Sequence, residues 1–285
     1  MSNLSSLFLF PKDIKSLIQQ ISIIGCGWLG LPLAKHLIAK GYTIKGSTTS
    51  NAKIETLKNA AINGYVINLH ENGIKGNLSQ FLDGSETIII NVPPGLRKNP
   101  NKNHISEMRH LILAIEKENI KNVLYISSTS IFKDESNFPQ ITHLSEPNSD
   151  SNSSKQLIEI EHILQNNLNF NTTILRFGGL FNDSRHPAQF LSGRNNISNP
   201  DAPINLIHRT DCIKIISIIL KTNLWNETLN ASHPHHPKKQ AYYSAYCKAH
   251  KLTLPEFTLD KKSYGKIIDS SKLVQLLNYT FQQAP

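Results

Sequence analysis

The chain has 285 residues, and 30 basic against 21 acidic side chains give it a formal net charge of +9. Hydrophobic residues make up 39% of the sequence, enough for the core of one large domain or two small ones. Three cysteines without close spacing argue against a disulfide framework and fit a reducing compartment. No apolar run approaches the ~20 residues of a membrane span, and residues 1–20 make a poor signal peptide, so we expect a cytoplasmic protein.

The positive charge raises the question of nucleic acid as a partner. The basic residues are dispersed, however, and the densest pairs, at 238–239 and 261–262, are short and lack interleaved aromatic residues. A solvated surface and an anionic small ligand explain the charge better. We therefore expect a small-molecule substrate, no nucleic acid and no membrane as partners, and we leave a homodimer open.

The first predicted strand, residues 21–25, runs into the glycine turn, residues 25–30, and an amphipathic helix follows. This context makes G-x-G-x-x-G a dinucleotide site. The first glycine permits a tight turn, the second lets the backbone approach a pyrophosphate, and the third lets helix and strand pack closely. We favour a filler role for the cysteine of the turn over that of a redox nucleophile. The expected cofactor-binding residues are Gly25, Cys26, Gly27, Trp28, Leu29 and Gly30.

The second predicted strand, residues 42–47, ends without the carboxylate that commonly binds the ribose 2′-hydroxyl of NAD. Its hydroxyl residues would not repel a 2′-phosphate, and Lys53 lies one helical turn further on. The pattern favours NADP as cofactor, with NAD as the alternative. A role in turns and helix capping would also explain these hydroxyls. The expected cofactor-binding residues here are Ser47, Thr48, Thr49 and Ser50.

Strand-like and helix-like runs continue to alternate as far as about residue 180. The later predicted strands cover residues 64–69, 87–92, 122–127 and 172–177. This βαβα alternation predicts an α/β fold, a Rossmann-type doubly wound parallel sheet with helices on both faces. We expect a dinucleotide domain over 21–175 and a smaller C-terminal substrate domain over 176–285, after an N-terminal extension over 1–20.

Several segments resemble the extended short-chain dehydrogenase/reductase family, of the NAD-dependent epimerase/dehydratase type. They follow the family's order along the chain and cover the glycine turn and residues 126–132, 155–159, 175–181 and 204–211. An atypical bacterial subgroup, the YeeZ-like proteins, is closer still. It shares the glycine turn, the Val-Pro-Pro-Gly segment at 92–95 and the Arg-His-Pro segment at 185–187.

The resemblance implies further cofactor contacts. The residues near the adenine would be Asn68 and Leu69. Those near the ribose and pyrophosphate would be Val92 and Pro93, and those near the nicotinamide would be Gly178, Gly179 and Leu180.

The resemblance also implies a catalytic set in which one member is missing. In the family, a Tyr-x-x-x-Lys pair does the proton work and a serine or threonine orients the substrate oxygen. Ser128 and Lys155 occupy the serine and lysine places, but Ser151 stands where the tyrosine is expected. A serine hydroxyl ionises too reluctantly to replace a phenol unless another base activates it. His186 is a further candidate for the proton work, and Tyr264 and His208 are two others.

A basic group follows the sixth predicted strand. Arg185 and Arg194 are candidates to bind a phosphate or carboxylate of the substrate, and a solvated loop is the alternative. The histidine-rich segment at 233–237 fits a loop better than a metal site, and no metal is expected. We expect an NADP(H)-dependent oxidoreductase or epimerase/dehydratase-like enzyme with a small, anionic or nucleotide-sugar-like substrate. The alternative is a non-catalytic NAD(P)-binding redox sensor or scaffold.

Overall fold

The computed structural model describes residues 19–285. The predicted N-terminal extension covers residues 1–20, and all of it except Gln19 and Gln20 lies outside the described residues. The prediction that this segment is a poor signal peptide therefore also lies outside them. Within the part that the structure describes, no helix combines the length and the apolar character that crossing a membrane requires.

The described chain forms thirteen strands and nine α-helices. The strands are β1 (Gln20–Ile24), β2 (Thr43–Thr48), β3 (Asn63–Val66), β4 (Asn68–His70), β5 (Gly73–Lys75), β6 (Thr87–Ile90), β7 (Asn122–Ser128), β8 (Gln140–Ile141), β9 (Asn171–Phe177), β10 (Gly179–Phe181), β11 (Leu206–His208), β12 (Thr228–Ala231) and β13 (Ile267–Ile268). The helices are α1 (Gly30–Ile38), α2 (Ile54–Lys58), α3 (Leu78–Leu82), α4 (His104–Lys117), α5 (Asn152–Gln165), α6 (Pro187–Leu191), α7 (Arg209–Thr222), α8 (Lys239–Ala249) and α9 (Ser271–Leu277).

Seven strands form one parallel sheet in the order β12-β9-β7-β6-β1-β2-β3. The predicted doubly wound Rossmann-type sheet is therefore confirmed. The chain builds outward from β1 to β3 and then crosses back to place β6 on the other side of β1. This reversal is the topological switch point, where open α/β sheets leave a crevice for ligands beyond the carboxyl ends of their strands.

Both faces of the sheet are covered, which explains why its central strands β1 and β6 are mostly apolar. In β1, Ile21 and Ile23 join the core under α1, α7 and α9, while Ile24 joins the core under α3, α4 and α5. Leu33 and Leu37, one helical turn apart in α1, are fully buried against the first of these faces. The sequence pattern therefore fixes the orientation of α1 directly behind the glycine turn.

One predicted strand, residues 64–69, is wrong in its extent because the chain leaves the sheet partway along it. β3 ends at Val66, and the Ile67 N–H makes one further sheet-like bond to the carbonyl of Thr48. β4 then pairs antiparallel with β5 in a separate small hairpin. Asn68 and Leu69 therefore lie beyond the end of the sheet rather than within it.

The second half of the chain contributes to two cores. α7, β12 and α9 pack onto the main sheet, with β12 paired to β9 at one edge. A smaller core forms around Phe181, Leu206, Tyr243 and Cys247. The boundary expected at residue 175 stays a prediction, since β9 runs on to Phe177 and the chain later returns to the sheet.

A buried ion pair ties α5 to the sheet. The guanidinium of Arg176, in β9, donates from Nη2 to Oε2 of Glu161 over 2.6 Å and from Nε to both carboxylate oxygens. The hydroxyl of Ser127, in β7, also donates to Glu161. Both charged side chains are buried, so each needs the other to compensate for the hydration that it loses on folding.

Glu161→Gln is expected to lower the free energy of unfolding by about 3–5 kcal/mol, because it leaves the buried Arg176 guanidinium without a counter-charge. The matched control is Glu159→Gln on the same helix, which breaks the exposed pair with Arg109. This control should cost about 1 kcal/mol or less, because solvent screens exposed pairs. Urea denaturation followed by circular dichroism measures both, and equal losses would contradict the prediction.

Candidate functional site

The three glycines of the turn have different surroundings. Gly25 has a φ of +100°, and a Cβ there would lie 2.3 Å from the carbonyl oxygen of Asn91. A Cβ on Gly30 would lie 2.2 Å from the carbonyl oxygen of Gly25. A Cβ on Gly27 would meet nothing within 4 Å. The protein's own packing requires the first and third glycines, whereas the second faces open space that a ligand can enter.

Neighbouring strands hold the turn on both sides. The Gly25 N–H donates to the hydroxyl of Ser47 over 2.9 Å, and the Cys26 N–H donates to the Ser47 carbonyl over 2.8 Å. From the other side, the side-chain amide of Asn91 donates to the Gly25 carbonyl over 3.0 Å. Asn91 was not singled out from the sequence, and its position directly after β6, at the switch point, is the signal that could have found it.

α1 begins at Gly30 without a side-chain cap and without an acidic residue in its first turn. The first backbone N–H groups of a helix have no partner within the helix, and the helix dipole favours negative charge at that end. A helix that begins in this way beside an open glycine suits a phosphate group.

A cavity of about 570 Å³ opens at the carboxyl ends of β1, β2, β6 and β7. The predicted site residues that line it are Gly25, Cys26, Gly27, Trp28, Leu29, Ser47, Thr48, Thr49, Asn68, Leu69, Val92, Pro93, Ser128 and Arg185. Predicted site residues outside its lining are Gly30, Ser50, Ser151, Lys155, Gly178, Gly179, His186 and Arg194. Leu180, which the resemblance placed near the nicotinamide, also lines the cavity. Lining residues that sequence reasoning missed include Asn91, Pro94, Lys102, Glu107, Ile126, Ser127 and Leu157.

The cavity end next to β2 carries hydroxyls and a lysine. The hydroxyl of Ser47 is already engaged with the glycine turn, and Oγ1 of Thr48 accepts from the Ser50 N–H over 3.3 Å. Thr49 and Lys53 are exposed and line the cavity. This end of the lining contains no carboxylate among the described residues, so its charge is positive.

Cys26 fills a gap beneath the turn. Burial raises the pKa of its thiol to about 12. The reactive form of cysteine is the thiolate, so this side chain is inert at neutral pH. The filler role favoured from the sequence agrees with this burial.

The proposed catalytic residues of α5 do not reach the cavity. Ser151 is the N-cap of α5, where its hydroxyl oxygen accepts from the Ser154 N–H over 3.2 Å. Lys155 is exposed. Leu157, two residues on and therefore on a different face of the helix, is the α5 residue that lines the cavity. Of the four predicted catalytic residues, the structure places Ser128 alone on the cavity wall.

His186 lies in the smaller core and acts there as a packing and capping residue. Its Nδ1 accepts from the Ala188 N–H over 3.2 Å, so Nε2 carries the proton and donates to the hydroxyl of Tyr242 over 2.7 Å. The ring stacks on Tyr246 with centroids 3.6 Å apart. Burial lowers the pKa of His186 to about 4. Tyr264, another candidate for the proton work, lines a separate surface depression. His208, the third candidate, is buried as the N-cap of α7, where its Nδ1 accepts from the Thr210 N–H over 3.2 Å.

Two arginines flank the indole of Trp28, next to the glycine turn. The guanidinium carbons of Arg185 and Arg209 lie 5.2 and 4.8 Å from the ring centroid. Arg209 also donates to the Trp28 carbonyl over 3.4 Å. Arg185 is exposed and lines the cavity, whereas Arg194 is exposed elsewhere. The cavity therefore has a cationic wall at this end.

A buried carboxylate lies on the wall near α4. Glu107 is 3% exposed, and its Oε2 is 2.8 Å from Nζ of Lys102 and 2.8 Å from Nδ1 of His104. Lys102 and Glu107 line the cavity, and His104 lies behind them, fully buried. Across residues 19–285, no group of three or more histidine, cysteine, aspartate or glutamate side chains converges in a metal-binding arrangement.

The fold, the open second glycine and the uncapped helix together define a dinucleotide-binding Rossmann protein. The chain belongs to the NAD(P)H-binding family, whose model matches residues 25–211. It is 27% identical over 271 residues to Protein YeeZ of Escherichia coli (strain K12), covering 93% of this chain and 96% of that protein. The sequence-based resemblance to the extended short-chain dehydrogenase/reductases and to YeeZ is confirmed.

Several solved structures of similar fold are nucleotide-sugar enzymes. UDP-glucuronic acid 4-epimerase from Bacillus cereus, in complex with UDP-glucuronic acid and NAD, matches with a TM-score of 0.77 at 17% identity, over 93% of this chain and 95% of that one. A functionally unknown conserved protein from Silicibacter pomeroyi matches with a TM-score of 0.73 at 15% identity, over 93% and 94% of the chains. These likenesses show the shared fold.

Gly30→Ala and Gly27→Ala are expected to separate folding from ligand binding. A Cβ on Gly30 overlaps the Gly25 carbonyl, so Gly30→Ala should lower the free energy of unfolding by about 1–3 kcal/mol. A Cβ on Gly27 meets open space, so Gly27→Ala should keep wild-type stability and weaken NADPH binding at least about tenfold by blocking phosphate approach. Urea denaturation and quenching of Trp28 fluorescence measure the two effects. Wild-type NADPH affinity in stable Gly27→Ala would contradict the prediction.

His186→Asn is expected to reduce the loss of stability in acid. The folded-state pKa of His186, about 4, lies below the unfolded value of about 6.5, so below pH 6.5 the unfolded chain binds the extra proton. The stabilisation is complete above pH 6.5 and is lost as the pH falls toward 4, by up to about 1.4 kcal/mol per pH unit. Asparagine can still cap α6 but does not titrate.

The measurement is the free energy of unfolding at pH 8, 6 and 5. If the free energy of unfolding of His186→Asn is lower than that of wild type at pH 8, the difference reports the missing ring stacking with Tyr246, which does not depend on pH. The gap between variant and wild type should narrow as the pH falls. Parallel curves would show that His186 does not carry this pH dependence.

Proposed function

We propose that the chain binds NADP(H) in the cavity at the switch point and uses it in an oxidoreductase-type reaction on a small anionic substrate. The observation that carries the proposal is the open space at Gly27 beside the uncapped start of α1. Protein packing alone does not explain that space, whereas a pyrophosphate does. A reduced nicotinamide dinucleotide, when bound, supplies a hydride.

Different residues of the chain would bind different parts of the cofactor. The glycine turn would bind the pyrophosphate, and Asn68 and Leu69 would face the adenine. Thr49 and Lys53 would meet a ribose 2′-phosphate, because this end of the cavity is positive and offers hydroxyl donors. That environment supports NADP over NAD.

The substrate would enter next to Arg185, which lies on the cavity wall against Trp28. A guanidinium suits a carboxylate or a phosphate. The similarly folded Bacillus cereus epimerase binds UDP-glucuronic acid, which supports an anionic, nucleotide-sugar-like ligand. Leu180 and Arg185 reach the cavity from the second half of the chain, which supports a substrate-binding role for the smaller domain expected over 176–285.

A specific observation favours the second candidate, a non-catalytic NADP(H) sensor. Lys155 is exposed to solvent, Ser151 caps its helix, and neither lines the cavity. In the described residues the lining also lacks tyrosine and histidine, the usual side chains for proton transfer at neutral pH. Under this alternative, NADPH binds tightly and no carbonyl compound is reduced.

The test is NADPH binding by fluorescence together with NADPH oxidation against a panel of 2-oxo acids, aldehydes, quinones and nucleotide sugars. Binding with turnover supports the oxidoreductase. Binding without turnover on any compound supports the sensor. Failure to bind either NADPH or NADH would overturn both.

Lys53→Met is expected to weaken NADPH binding about tenfold and to leave NADH binding unchanged, because it removes one charge-assisted contact with a 2′-phosphate. The control is Lys58→Met, which removes an equal charge from α2 at a side chain that is 76% exposed and outside the cavity lining. Fluorescence titration with both cofactors gives the comparison. Equal losses for NADPH and NADH would argue against a 2′-phosphate site.

A further inference from the structure

The cavity wall contains few side chains that can exchange a proton. In the described residues, the titratable side chains of the lining are Cys26, Lys53, Lys102, Glu107 and Arg185. The Cys26 thiol is buried and inert, and a guanidinium keeps its proton at all working pH values. Lys53 lies beyond the end of β2, next to the hydroxyl residues. The pair Lys102–Glu107, near α4, is the remaining candidate for acid–base chemistry.

The pair is built rigidly into the wall. Glu107 accepts from Lys102 Nζ over 2.8 Å, and this bond takes one of the three N–H groups of the ammonium. The carboxylate is 3% exposed, whereas the Lys102 side chain is 23% exposed. The remaining donors of Lys102 are therefore accessible from the cavity, and the carboxylate is held behind them.

His104 supports the carboxylate from behind. Its Nδ1 must donate to Glu107, because an ionised carboxylate only accepts. Burial lowers the pKa of His104, although Glu107 acts in the opposite direction, and its Nε2 has no hydrogen-bond partner within residues 19–285. Gln156 of α5 fixes the segment by donating to the Lys102 carbonyl over 3.0 Å and accepting from the His104 N–H over 2.7 Å. These bonds position the ammonium.

We propose that Lys102 donates a proton to a substrate oxygen in this cavity, with Glu107 as its positioning residue. The proposal rests on the proposed NADP(H)-dependent carbonyl chemistry. As a carbonyl carbon gains a hydride, the π electron pair of the C=O bond moves to the oxygen. That oxygen takes a proton from Nζ of Lys102 and becomes a hydroxyl. The neutral amine regains a proton from water in the open cavity.

The first experiment maps lysine reactivity in the wild-type protein. Lysines are methylated with formaldehyde and cyanoborohydride, with and without NADPH, and each site is followed by mass spectrometry. NADPH should slow the modification of Lys53 and Lys102 at least fivefold and leave Lys117, exposed on α4, unchanged. Protection of Lys53 without Lys102 would overturn this inference and leave the proposed cofactor site standing. Protection of neither would overturn the proposed function.

The second experiment separates binding from proton donation, using NADPH oxidation with 2-oxo acids, aldehydes and quinones. Lys102→Met should lower kcat at least about 100-fold, the range typical of a lost general acid, with the Kd for NADPH within threefold of wild type. Lys102→Arg should lower kcat by the same factor, because arginine keeps the positive charge but does not release its proton. Glu107→Gln should lower kcat more than it raises KM.

The control variant is Lys117→Met, which should keep wild-type kcat. Loss of turnover in Lys155→Met with none in Lys102→Met would overturn the proposal in favour of the lysine on α5. Full activity of Lys102→Arg would also overturn it, because charge alone would then suffice. Wild-type protein that binds NADPH but reduces no compound of the panel would overturn the proton-donor role.

Discussion

The structure depends on one close approach of backbone to backbone at the switch point of the sheet. Gly30 at the start of α1 lies against the carbonyl of Gly25, and the same carbonyl accepts from the side chain of Asn91. Because neither Gly25 nor Gly30 carries a side chain, α1 can lie close to the ends of β1 and β6. This proximity directs the start of the helix into the crevice and leaves open space over Gly27. Fold and binding site thus share one steric constraint.

Much of the fold could be predicted because its signals are local. The glycine turn, the buried runs of β1 and β6 and the spacing of Leu33 and Leu37 each lie within a few residues. The end of β3 at Val66 could not be predicted, because the chain continues to look strand-like while it leaves the sheet. The place of β12 at the sheet edge depends on a partner about fifty residues away.

The site was harder to predict than the fold. The family resemblance suggested Lys155, but the N-cap at Ser151 and the packing of α5 turn Leu157 toward the cavity instead. Lys102 and Glu107 belong to a loop and a helix start without any recognisable motif, and Gln156, far along the chain, fixes them there. Acid–base groups brought together by tertiary contacts leave no pattern in a single sequence.

The position of β12 bears on how the chain is synthesised. Every residue lining the cavity comes before residue 186, whereas β12, which covers β9, comes at Thr228–Ala231. During synthesis, the lining residues therefore leave the ribosome before β12, at a stage when the edge of β9 that β12 later covers has no partner strand. Such an edge is a template for pairing with other chains. We expect the nascent chain to be prone to aggregation at this stage, and a ligand that binds the cavity to favour the productive fold.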